Sequence, residues 1–260
     1  HLEVVKFLVK KGADTESMRD YGGTALHQAA IQGRLKVVQY FHSIKVNLNS
    51  KSSNGETALH YAAANGHLDL LKYLIKKKVL LDARTKYGDT AMHKAASNGH
   101  FLVMKLLHSK GMSLTPEDNY GLTPLHKAAE NKHLSTVQYL ASQKIDLNRR
   151  SNSGVTALSQ AATRGNLTIV KFLVEQKADF LQVDEYYQEA ALHKAAANGH
   201  VSIIKYLIQV GTPIDLKDKY QETALHEASK RGQLKAVKFL IKNNASIKAH
   251  NSNGNSALML

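Results

Sequence analysis

An all-α array of stacked helix-turn-helix pairs is the fold the sequence predicts, on three observations. A Thr-Ala-Leu-His-type unit stands at Thr24, Thr57, Thr90, Thr123 and Thr156, each 33 residues after the last, then at Ala190, Thr223 and Ser256 after steps of 34, 33 and 33. Each unit opens a short Ala-rich segment closed by a glycine, as in Ala58–Asn65 before Gly66. A second segment then carries apolar residues at helical spacing, as in Leu68, Leu71, Leu74 and Ile75,. Neither segment can bury its apolar face alone, so neighbouring copies must stack and share one seam.

Each recurring residue has a physical task. The threonines occupy the first-helix N-cap, where a hydroxyl can satisfy an orphan N–H. Pro124 fits the next position, which needs no N–H,. The paired alanines (Ala62-Ala63, Ala95-Ala96 and their equivalents) let helices approach closely. Gly33, Gly66, Gly99, Gly165, Gly199 and Gly232 end the first helix in the left-handed conformation,. Gly22, Gly55, Gly88, Gly121 and Gly154 turn a finger that precedes each first helix,.

The period and the Thr-Pro-Leu-His-Lys-Ala-Ala of 123–129 resemble the ankyrin repeat over essentially the whole chain,. The resemblance implies an ankyrin-repeat solenoid with projecting β-hairpin fingers, and one array over 1–260. Its full repeats are 19–51, 52–84, 85–117, 118–150, 151–183, 184–217 and 218–250, with partial repeats at 1–18 and 251–260. Both ends cut through a repeat, so a piece of a longer array is expected.

Irregularity is concentrated late in the chain. Ser159 stands where other units have His. One residue is added before Ala190, Gln188 replaces the finger glycine, and Ala190 replaces the capping Thr. A lost cap costs on the order of 1 kcal/mol, and a non-glycine residue in a left-handed turn about 1–2 kcal/mol. The seam between 151–183 and 184–217 is therefore expected to be the weakest.

Catalytic and metal chemistry finds no footing. Of 14 histidines, His27, His60, His93, His126, His193 and His226 share the Thr-x-x-His slot, and His1, His67, His100, His133 and His200 follow the inter-helix turn. Residues placed once per repeat are scaffold, not a metal cluster, and no His-x-x-x-His site with an added acid occurs. There is no phosphate loop, no nucleophile elbow and no cysteine,. We therefore expect a chain that is not an enzyme and needs no cofactor or metal. No apolar run approaches the roughly 18 residues of a membrane span. A cytoplasmic chain is expected, with the nucleus as the alternative compartment, and a monomer.

The resemblance implies partner binding along a concave face built from finger tips and first helices, centred on 84–220. The tips carry Tyr21, Tyr87, Tyr120, Tyr187 and Tyr220, with Asn54 and Ser153 at the other two. Lys51, Arg84, Arg150 and Lys217 precede fingers, and Asn65, Asn98, Asn131, Asn198, Arg164 and Arg231 end first helices. Tyr and Arg are enriched in interface hot spots. Groove positions hold nine basic and seven acidic residues, about +2, leaving about +12 of the +14 net charge elsewhere, much of it on second helices. Aromatics and charge are thus on different faces, which favours a protein or peptide ligand in the groove over nucleic acid. The rival functions are nucleic-acid or anionic-membrane binding through the basic convex face, and a targeting arm for a catalytic domain outside this sequence. The resemblance also implies hydroxylation at Asn49 or Asn148, whereas the residues themselves favour turn asparagines bonding their own backbone.

Overall fold

Seven-residue inner helices alternate with longer outer helices throughout the computed structural model, which describes residues 2–18 and 22–260. The chain forms two compact units, His1–Asn119 and Tyr120–Leu260. Unit 1 holds α1 (Leu2–Lys10), α2 (Ala25–Ile31), α3 (Leu35–Ser43), α4 (Ala58–Ala64), α5 (Leu68–Lys76), α6 (Ala91–Ser97) and α7 (Phe101–His108). Unit 2 holds α8 (Pro124–Glu130), α9 (Leu134–Ser142), α10 (Ala157–Thr163), α11 (Leu167–Glu175), α12 (Ala191–Ala197), α13 (Val201–Gln209), α14 (Ala224–Lys230) and α15 (Leu234–Lys242).

Each inner helix packs on its own outer helix and on the next inner helix within its unit. Alanine makes this approach possible: Ala62, Ala63, Ala95 and Ala96 in unit 1, and Ala161, Ala162, Ala195 and Ala196 in unit 2, are completely buried. The outer helices close the core with leucine, isoleucine and valine, such as Leu71 and Leu74 of α5 and Ile203, Ile204 and Leu207 of α13. Full burial of one such side chain stabilises by roughly 1.5–3 kcal/mol.

The fingers depart from the expected β-hairpins. Each is a tight turn with a backbone bond across its base, such as Thr85 N–H to Asp89 O (2.9 Å) or Ser151 N–H to Val155 O (2.9 Å), and a second inside it, such as Gly88 N–H to Thr85 O (3.0 Å). Isolated backbone bonds join neighbouring fingers, as from Lys86 N–H to Asn54 O (2.9 Å) and from Lys219 N–H to Tyr187 O (2.9 Å). So few bonds cannot build a ladder. Among the described residues the one bridge is the isolated antiparallel pair His250 and Ser256. The finger turn demands a positive φ even where glycine is absent, and Gln188 (56°) and Gln221 (61°) adopt it.

Candidate functional site

The fingers are held by a histidine frame. In unit 2 the N–H of Thr123 donates to Nδ1 of His126 at 3.1 Å, and the Thr123 hydroxyl lies 2.9 Å from the same nitrogen. An N–H can only donate, so Nδ1 is the unprotonated nitrogen and Nε2 carries the hydrogen. Nε2 then donates to the carbonyl of Val155, 2.9 Å away in the next finger. The same arrangement ties His60 to Asp89 and His226 to Asn255, whereas His193, which accepts from the Ala190 N–H, reaches Leu216 O just ahead of the next finger. Burial lowers the pKa of His60 and His193, which keeps these imidazoles neutral as the frame requires. The expected threonine caps take part in a reciprocal capping box. The N3 imidazole accepts the N-cap N–H, as at Thr123, and at Thr156 the hydroxyl accepts the Ser159 N–H (3.2 Å),.

On this frame the finger-tip tyrosines stand in solvent. Tyr87 in unit 1 and Tyr120, Tyr187 and Tyr220 in unit 2 are all exposed. Tyr21 lies outside the described residues. The rings of Tyr187 and Tyr220 meet with centroids 6.2 Å apart and planes tilted by 50°, yet 52% and 46% of their surfaces remain open. Sequence reasoning missed Tyr186, the most open of the group at 63%. The added residue in the 184–189 finger was its signal, since a longer turn carries one more side chain at its tip.

The cations that precede the fingers bond locally. Arg84 donates to Gly88 O (2.9 Å) and Glu117 O (2.6 Å). Lys51 lies 3.5 Å from Arg84 O. Arg150 donates to Glu185 Oε2 (2.9 Å) and Val183 O (3.3 Å), and Lys217 to Gln221 Oε1 (3.1 Å). The bonds of Lys51 and Arg150 and that of Arg84 to Glu117 brace one finger against the next, while Arg84–Gly88 and Lys217–Gln221 lie within a finger. The asparagines that end inner helices do comparable work: Nδ2 of Asn65, Asn98, Asn131 and Asn198 donates to the carbonyl four residues earlier at 2.8–2.9 Å. Each thereby satisfies a helix-end carbonyl. Arg164 pairs with Glu130, while Arg231 is exposed.

Inner-helix ion pairs were not foreseen from the sequence. Lys94 sits 2.8 Å from Glu56 and 3.4 Å from Asp89 in unit 1. Lys194 sits 2.7 Å from Asp184 and against Glu189 in unit 2. Burial alone would raise the carboxyl pKa values of Glu56 and Asp184, but hydrogen bonds to the lysines prevail and hold them below the usual range. At the next repeat the charge reverses. Glu227 takes the position of Lys94 and Lys194, is 6% exposed, and packs against Glu222 beside Lys230. Burial, then a shared hydrogen bond with Glu222, pushes its pKa to about 7. Lys230 (2.9 Å) and Asn251 Nδ2 (3.0 Å) hold Glu222 ionised.

A family model for ankyrin repeats (three copies) matches residues 1–85, 77–151, 103–184, 146–218 and 192–260. The chain belongs to the ankyrin-repeat family. Repeats of this family are generally protein-interaction modules and typically non-catalytic. A comparison with curated proteins found no match. Among the described residues no group of three or more His, Cys, Asp or Glu could hold a metal, and no helix is long and apolar enough to cross a membrane.

Proposed function

We propose that this ankyrin-repeat chain is a non-catalytic recognition module whose finger tips and inner-helix ends take a protein or peptide segment. The Tyr187–Tyr220 pair is the observation that carries this reading. Both rings are half open to solvent, yet each finger is tied to its neighbour by backbone bonds. A rigid aromatic surface contributes apolar area and a phenolic hydroxyl at little cost in side-chain entropy. Tyr120 in the same unit extends the set of contact residues, and Tyr87 is a tip of the same kind in unit 1. The asparagine amides and Arg164 and Arg231 at the inner-helix ends supply polar contacts.

Binding is tested by selecting peptides from a displayed library on the immobilised chain, then measuring the selected ligand against Tyr187→Ala/Tyr220→Ala. The double variant is expected to lose about 2–4 kcal/mol of affinity. Equal affinity for both proteins would remove these tyrosines from the recognition surface. A selected peptide that Tyr120→Ala and Arg231→Ala also leave untouched would remove the face as a whole.

A further inference from the structure

We propose that the outer-helix face of unit 2 binds the anionic headgroups of a lipid bilayer. Lys171, Lys205 and Lys238 occupy the fifth position of α11, α13 and α15, and all three are exposed. These helices pack side by side in sequence, so the three ammonium groups form a row with a step of roughly 8–10 Å, the usual distance between packed helices.

Acids do not balance this charge. Several cations of the inner face are matched to acids, as Lys194 is to Asp184 and Glu189, Lys230 to Glu222, and Arg164 to Glu130. On α11, α13 and α15 the one acidic residue is Glu175, against Lys171, Lys205, Lys235, Lys238 and Lys242. Among the described residues Lys205 and Lys238 make no ion pair, and Lys171 rests over the Tyr206 ring at 5.6 Å. A lysine in the last turn complements the helix dipole, but the fifth of nine residues lies outside that turn.

The ends of α9 and α11 repeat the pattern. Lys144 and Lys177 hold φ values of 57° and 68°, where the equivalent residue after α13 is Gly211. Lysine is strained in that conformation relative to glycine,, and among the described residues neither lysine gains an ion pair in return.

Apolar residues among the lysines decide between a bilayer and a nucleic acid. Leu234 and Ile241 of α15 are exposed and lie on the same stripe as Lys238,. Such a helix rests at a membrane surface with its apolar groups at the headgroup–acyl boundary. A phosphate backbone offers these side chains nothing. The exposed rings that would stack on bases stand on the fingers, whereas Tyr206 and Phe239 of the outer helices are half-buried.

The test is co-sedimentation of the full 260-residue chain with phosphatidylcholine vesicles containing or lacking about 30% phosphatidylserine. The chain is expected on the anionic vesicles only. Lys171→Gln/Lys205→Gln/Lys238→Gln, with unchanged circular dichroism, is expected to weaken binding roughly 100-fold. Tyr187→Ala/Tyr220→Ala is expected to bind vesicles as the parent does, which separates this surface from the recognition face. Equal binding to both vesicle types, an unaffected triple variant, or displacement from the vesicles by an equal charge of duplex DNA would each overturn the proposal.

Discussion

The helix pairs α8–α9 and α10–α11 lie next to each other in unit 2 and differ at the residue that joins each to its successor. In the first, His126 closes its own helix start through Nδ1 and reaches the following finger through Nε2. In the second, Ser159 closes the helix start just as well. Its hydroxyl accepts from Thr156 N–H at 3.0 Å, donates to Thr156 O at 2.9 Å, and its own N–H meets the Thr156 hydroxyl. A serine is too short to do more. Capping a helix and fastening it to its neighbour are therefore separate tasks, which one imidazole combines. Across the seam after Ser159 no residue of α10 reaches the next finger in that way, and the side-chain bonds are those of Arg150 to Val183 O and to the exposed Glu185, worth little in water,, and of His200 Nε2 to Thr163 O (3.0 Å).

The same two pairs differ at the inter-helix turn. Gly165 (φ 74°) is demanded twice, since an added Cβ would stand 2.6 Å from the His200 ring as well as strain the backbone. Its counterpart Lys132 holds a φ of 67° at a conformational cost.

The largest effect comes from the frame. His126→Ala strands the buried Thr123 N–H and removes the bond to the next finger, leaving the Val155 carbonyl only the Ser151 N–H, and is expected to cost about 2–3 kcal/mol in denaturant unfolding,. Ser159→Ala loses only the local closure, about 1 kcal/mol. Equal costs for the two would erase the distinction between capping and fastening. Gly165→Ala is expected to cost about 2 kcal/mol or more, read from the same unfolding curves.

A pH effect of comparable size tests the charge reversal at 218–250. Folded Glu227 keeps its proton up to about pH 7, whereas the ordinary value is 4.5. Between these values the folded chain binds more protons than the unfolded one, so stability falls as pH rises through the window. Glu222, whose pKa is lowered, acts instead below its ordinary 4.5,, and the loss across this window is on the order of 2–3 kcal/mol,. Glu227→Gln is expected to abolish it. His193, with its lowered pKa, contributes in the other direction, gaining stability as pH rises to 6.5. The difference between parent and variant curves isolates Glu227. Smallest of all, Lys132→Gly is expected to stabilise by up to about 1 kcal/mol in thermal unfolding.

What could be read in the sequence is what each repeat does for itself. The inner and outer helices and the left-handed glycines are local features, and their 33-residue recurrence made the architecture legible. Roles shared between repeats were not legible, because they depend on residues about 30 positions apart. Nothing near Asn49 or Asn148 reveals that their Oδ1 atoms accept from Leu80 N–H (2.9 Å) and Asp179 N–H (2.8 Å). The expected bonding of each asparagine to its own backbone is instead made by Asn47 and Asp146. The tyrosine tips were legible by position, but the bracing roles of Arg84 and Arg150 were not, since their acceptors lie in the adjoining finger. Glu227 likewise reads as a surface acid until Glu222 is folded against it.

Native-state hydrogen exchange tests the fastening claim most directly. Asn152 N–H bonds to Tyr120 O across the seam that His126 secures, and Glu185 N–H bonds to Ser153 O across the seam beyond Ser159, both at 2.9 Å. With intrinsic rates divided out, Glu185 is expected to exchange roughly tenfold faster than Asn152, the equivalent of about 1.4 kcal/mol. Equal protection at the two amides, or slower exchange at Glu185, would contradict the account.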